Sequence, residues 1–193
     1  MLPWQYVPVQ QVRKSVKRKS STLAHKSVKR KSKTLALSLS FATPRTGIPA
    51  KASFQAWAQA AFDTRNPGNF AANVGMSLRF VDIEEARALN LQYRSRDYAT
   101  NVLSFPSEVP VGMPKNFKLD WLGDLVVCAP VIAREALAQQ KALRDHHAHM
   151  CVHGVLHLLG FDHLDAAQAR RMEALEVQIL AGFGIADPYF EKI

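Results

Sequence analysis

A chain of 193 residues that is 48% hydrophobic has room for one domain with a substantial core. No run reaches the roughly 20 apolar residues of a membrane span, the N-terminus lacks the apolar segment of a secretory signal, and two cysteines far apart give no disulfide framework, which together point to a reducing cytoplasm. The net charge of +9 is not spread evenly: residues 1–51 hold 12 Lys and Arg and no acid, so the remainder holds 13 basic against 16 acidic residues and is weakly negative.

The basic segment carries a duplication, in which Lys14-Ser15-Val16-Lys17-Arg18-Lys19-Ser20 recurs as Lys26-Ser27-Val28-Lys29-Arg30-Lys31-Ser32. Such a composition cannot bury a core, and residues 1–34 are expected to be a disordered extension preceding a catalytic domain at 35–193. Three roles stay open for it: a dispensable extension from an upstream start, a basic arm on RNA phosphates, or a transit-type presequence.

The alternation of Leu35, Leu37, Leu39 and Phe41 predicts a half-buried strand. After Pro49 a helix follows, with Phe54, Trp57, Ala58, Ala61 and Phe62 on one face. Val74, Met76, Leu78 and Phe80 alternate again up to Asp82, which with Glu85 reads as a capping box opening a helix to about Gln92. Strands are expected near Val102–Phe105 and Leu122–Cys128, separated by a Pro- and Gly-containing loop. Pro130 starts a helix expected to reach Arg144, a second runs from about His146 to Leu159, and Asp165 opens a last one ending near Gly182. The order β-α-β-α-β-β-α-α-α implies an α+β fold, a small mixed sheet of about four strands with helices gathered after it.

The chemistry concentrates in His153-Gly154-Val155-Leu156-His157-Leu158-Leu159-Gly160-Phe161-Asp162-His163. Histidines four apart on a helix project from one face and reach a single ion. A third ligand farther along the helix is too distant, since His149 to His157 would span about 12 Å of axis. The chain must turn back, and Gly160 supplies a left-handed helix end that returns His163 toward the pair. Three imidazoles leave a fourth position open, which is the catalytic arrangement of a zincin-like site holding one zinc ion. The spacing equals that of the metzincin proteases, except that Gly154 stands where they keep a glutamate base. Asp162 either orients a ligand or shuttles a proton, or serves only as a turn residue. His149, one turn before His153, is either a helper of the site or a solvated surface residue.

A second polar stretch runs from Asn90-Leu91-Gln92-Tyr93-Arg94 through Asp97 to Thr100-Asn101-Val102-Leu103-Ser104-Phe105-Pro106. By itself it is weak evidence, because an arginine at a helix end is commonly a solvated charge. Together with Leu122-Gly123-Asp124 and the histidine motif, however, it resembles the YbeY family of bacterial endoribonucleases from about Leu37 to Leu180. Phe161 departs from the tyrosine usual there, and Tyr98-Ala99 from the usual residues before Thr100.

What the resemblance implies is a metal-dependent ribonuclease preferring single strands, which processes the 3′ end of small-subunit ribosomal RNA and takes part in ribosome quality control. It implies zinc on the three histidines, a need for Arg94, and ribosomal RNA and the small ribosomal subunit as partners. Zinc polarises phosphoryl oxygens, and a guanidinium beside it neutralises charge growing on the phosphate. Two rivals remain: a metalloprotease-like hydrolase, which needs the carboxylate that Gly154 lacks, and a ribosome-assembly factor that binds RNA and zinc without cutting.

Overall fold

The computed structural model describes residues 33–64, 70–114, 116–162 and 165–190. Nine elements follow in the expected order: β1 (Thr34–Phe41), α1 (Lys51–Asp63), β2 (Phe70–Val81), α2 (Ile83–Arg94), β3 (Val102–Pro106), β4 (Leu119–Cys128), α3 (Ala129–Ala138), α4 (Leu143–Leu158) and α5 (Ala166–Ala181). The fold is α+β. Its four strands lie in the order β1-β2-β4-β3, with β1, β2 and β4 parallel and β3 antiparallel at one edge, so the sheet is mixed.

Strand β1 is the other edge, and side chains of α1 cover it. Gln59 and Gln55 accept from the backbone N–H groups of Leu35 (2.8 Å) and Leu37 (3.1 Å), and their amides donate back to the carbonyls of Lys33 and Leu35. Outward-facing ladder groups that would otherwise invite another strand are thereby satisfied.

The alternation that marks each strand sorts the two sheet faces. Leu35, Leu37, Met76, Leu78, Phe80, Leu125 and Val127 pack in one core with Phe54 and Trp57 of α1 and with Cys151, Val152, Val155 and Leu156 of α4. Burying a side chain such as Phe54 contributes about 1.5–3 kcal/mol. The opposite face carries a smaller cluster of Val81, Ala86, Cys128 and Val131, under α2 and the start of α3. Both cysteines are buried free thiols.

Helix α4 is the hub. Every residue from His146 to Leu158 is buried, because the sheet, α1, α3 and α5 surround it.

Three expectations change in detail. Helix α3 ends at Ala138 rather than continuing to Arg144. Lys141 N donates to Ala136 O (2.9 Å) and Gln140 N to Leu137 O (3.1 Å), a Schellman end whose left-handed residue is Gln140, φ 52°. No glycine announces it. At α2 only half of the capping box forms: Asp82 accepts from Glu85 N, but the Glu85 carboxylate turns to Arg79 instead (2.8 Å). At the front, β1 begins at Thr34, and Lys33 Nζ donates to Phe70 O (2.6 Å). The duplicated segment and the rest of residues 1–32 lie outside the described residues. Among the described residues, no helix is long and apolar enough to cross a membrane.

Candidate metal centre

One stripe of α4 carries His146, His149, His153 and His157, spaced by three and four residues and therefore aligned. Two of the three expected ligands meet there: His153 Nε2 and His157 Nε2 stand 3.1 Å apart. His163, the third, lies outside the described residues.

The outer nitrogens show which tautomers are present. His157 Nδ1 faces the carbonyl of Phe161 at 3.1 Å, and a carbonyl only accepts, so Nδ1 carries the proton. His153 Nδ1 lies 2.8 Å from Glu176 Oε1. Glu176 is fully buried on α5, and its other oxygen meets His149 Nε2 at 3.0 Å and the Tyr189 hydroxyl. Burial opposes ionisation of Glu176, yet the adjacent His153 and His149 outweigh it and hold the carboxyl well below the usual carboxylate range. Burial and the neighbouring carboxylate raise Tyr189, which keeps its proton and donates. An ionised Glu176 only accepts, so His153 Nδ1 and His149 Nε2 both donate to it.

In these tautomers the Nε2 atoms of His153 and His157 are the unprotonated nitrogens, able to act as donors to a metal, and they stand side by side. Two nitrogens bound at about 2.0–2.1 Å to one tetrahedral zinc stand roughly 3.3 Å apart, close to the observed separation. Two of the expected donors are thus placed close enough to share one metal ion, and each has its Nδ1 anchored.

Two glycines permit this arrangement. Gly160 adopts φ 80°, with Gly160 N donating to His157 O (2.9 Å) and Phe161 N to Leu156 O (3.0 Å), so the helix ends as expected and presents the Phe161 carbonyl to His157. Gly154 faces β3 and β4 instead of the histidine stripe. A Cβ there would lie 2.9 Å from both Leu125 methyls and 3.4 Å from Val102, and Ser104 Oγ donates to its carbonyl (3.3 Å). The helix lies so close to the sheet that a side chain here would have to displace the Leu125 methyls, and it would face the sheet and not the histidine stripe.

The second motif proves largely architectural. Asn90 Nδ2 ties down the loop after α2 at Tyr98 O (2.7 Å), and Asp97 pairs with Arg87 (2.6 Å). Asn101 donates to Glu135, which also receives His146 Nε2 (2.9 Å) and so links the motif to α4. Arg94 is the last residue of α2 and is half-buried, next to Tyr93, whose ring meets Phe105 of β3 edge-on at 5.0 Å. Asp162, also half-buried, follows Phe161 directly after the Gly160 turn.

His149 is 8% exposed and bound to Glu176, so it is not a solvated surface residue. Glu176 and Tyr189 lie outside the motifs that the sequence offers. A signal existed for Glu176: it shares the buried face of α5 with Met172, Ile179 and Leu180, where an acid is out of place unless it has partners.

A sequence profile described as Endoribonuclease YbeY matches residues 38–184. A protein of Stenotrophomonas maltophilia (strain R551-3) named Endoribonuclease YbeY is 54% identical over 153 residues, covering 79% of this chain and 92% of its own. One of the same name from Xanthomonas campestris pv. campestris (strain B100) is 52% identical over the same shares. The solution structure of TM1509 from Thermotoga maritima covers 81% of this chain and 99% of its own at 17% identity and a TM-score of 0.47.

Proposed function

The chain belongs to the YbeY family of endoribonucleases, and on that premise we propose that it is a zinc-dependent enzyme that cuts single-stranded ribosomal RNA, processing the 3′ end of small-subunit RNA and serving ribosome quality control in the cytoplasm. The observation that carries the metal reading is the convergence of His153 Nε2 and His157 Nε2 at 3.1 Å while each Nδ1 is committed to an acceptor. His163 completes the ligand set in this proposal.

Zinc, when bound, supplies a Lewis acid for a phosphodiester. The remaining work falls to the chain. Arg94 presents a guanidinium to the phosphate and offsets charge that grows during cleavage. Asp162, beside the third ligand, orients it or moves a proton. A metalloprotease of the metzincin kind lacks its glutamate here, because Gly154 stands in that place and faces the sheet, and Glu176 is fully buried among its own partners.

The test is zinc content together with cleavage of a single-stranded and a duplex RNA, before and after chelation. About one zinc per chain is expected, with single-strand cleavage lost on chelation and regained with zinc. Cleavage that ignores removal of the metal would sink the proposal, and zinc without cleavage would favour the assembly factor. Arg94→Glu should lower turnover by roughly 100- to 1000-fold at unchanged zinc content. Equal turnover would remove Arg94 from the reaction.

A further inference from the structure

Glu176 divides its two oxygens between different tasks. Oε1 takes His153 Nδ1, while Oε2 takes His149 Nε2 and the Tyr189 hydroxyl, and no part of the residue reaches solvent. A fully buried carboxylate is weak support for stability alone, since an apolar side chain of similar volume commonly serves a core as well or better. Its neighbours on the same face, Met172, Ile179 and Leu180, are apolar. The arrangement around His153 also differs from that around His157, whose Nδ1 faces a neutral backbone carbonyl. A carboxylate on Nδ1 fixes ring and tautomer and makes Nε2 the stronger donor.

We propose that Glu176 is a positioning residue for His153 in metal binding, and that His149 and Tyr189 in turn lock Glu176, so that the segment after α5 is part of the metal centre. The inference rests on the zinc reading above. Tyr189 is carried by that segment, which is fastened at two other points: Lys141 Nζ donates to Pro188 O (2.5 Å), and Ile185 enters the core. His149 is occupied as a donor to Glu176, which assigns it to the support and not to the ligand set.

The experiment uses the full chain, titrated with zinc against a chromophoric chelator and separately with cobalt(II) as a visible-absorption reporter. Glu176→Gln keeps the volume but offers only one acceptor oxygen. It should weaken zinc binding about 10- to 100-fold and alter the cobalt spectrum. Tyr189→Phe should weaken zinc roughly threefold in the same direction. A Glu176→Gln protein with wild-type zinc affinity and cobalt spectrum, whatever its melting temperature, would overturn the inference, because a merely structural carboxylate changes only stability. Should Glu176→Gln not fold, Tyr189→Phe decides, and an unchanged zinc affinity there overturns the inference. A wild type that binds no zinc would bring down the metal reading and this inference with it. Zinc bound by wild type and Glu176→Gln alike brings down only the inference.

Discussion

Two histidines on α4, two residues apart and almost equally buried, meet opposite surroundings. His147 points into the core, edge-on to Phe54 and Phe80 at 5.8 and 6.0 Å, and among the described residues its Nδ1, like that of His149, meets no hydrogen-bond partner. Burial, with a smaller contribution from His146, lowers its pKa to about 4, so it is a neutral packing group at physiological pH. His149 points to the other side, where Glu176 holds it, and the same stripe continues to His153 and His157. Residue type and depth do not distinguish the two sides. The difference comes from other elements: α3 and α5 each send a carboxylate, Glu135 and Glu176, to the stripe, whereas α1 and β2 send aromatic rings to the core side.

The largest test of that contrast removes a ligand from the stripe. His157→Ala should lose nearly all bound zinc, at least ~100-fold in affinity, while circular dichroism stays native-like, because the sheet and the other helices do not hang on the ion. A variant retaining a full equivalent of zinc would break the assignment of the stripe.

Gly154→Glu probes the boundary between the two sides. It drives a side chain into Leu125 and buries an unpaired charge, so it should cost several kcal/mol and yield an unstable protein, not a peptidase. A stable variant in a urea melt would show that the helix stands off the sheet.

The smallest effect belongs to the core side. With a folded pKa of about 4 against 6.5 unfolded, His147 binds a proton more readily in the unfolded chain. Stability is therefore full above about pH 6.5 and declines as pH falls toward 4, by up to about 3 kcal/mol. His147→Leu should flatten that limb relative to wild type in denaturant midpoints from pH 7 to 4. Parallel curves would mean that His147 is already protonated in the native core.

Much of this was legible in the chain because the signals were local. Alternation placed β1 and β2, Asp82 and Asp165 marked helix starts with bonds that form, and the Gly160 turn follows from a residue that tolerates positive φ. Signals failed where partners came from afar or where the usual residue was missing. Gln140 ends α3 in the glycine conformation without being glycine. Glu85 forms its bond with Arg79 on β2, beyond any helix-start pattern. The metzincin spacing frames Gly154 as an absent base, whereas the contact that makes the position tight, Leu125, lies almost thirty residues earlier. Helix α4 has no solvated face, so hydrophobic periodicity alone had nothing with which to separate its two kinds of histidine.

The position of Glu176 and Tyr189 in the chain has a consequence for the order in which the protein is made. His157 leaves the translation machinery 32 residues ahead of Tyr189. At about 5–20 residues per second that interval lasts roughly 2–6 seconds. For the first 19 residues of it, until Glu176 follows, the nascent chain holds His153 and His157 without the carboxylate that orients the first of them, and for the rest that carboxylate lacks the Tyr189 hydroxyl that locks it. On the reading proposed here, a nuclease acting on ribosomal RNA is assembled in an order that leaves its metal grip loose until α5 and the segment after it have been synthesised and have docked.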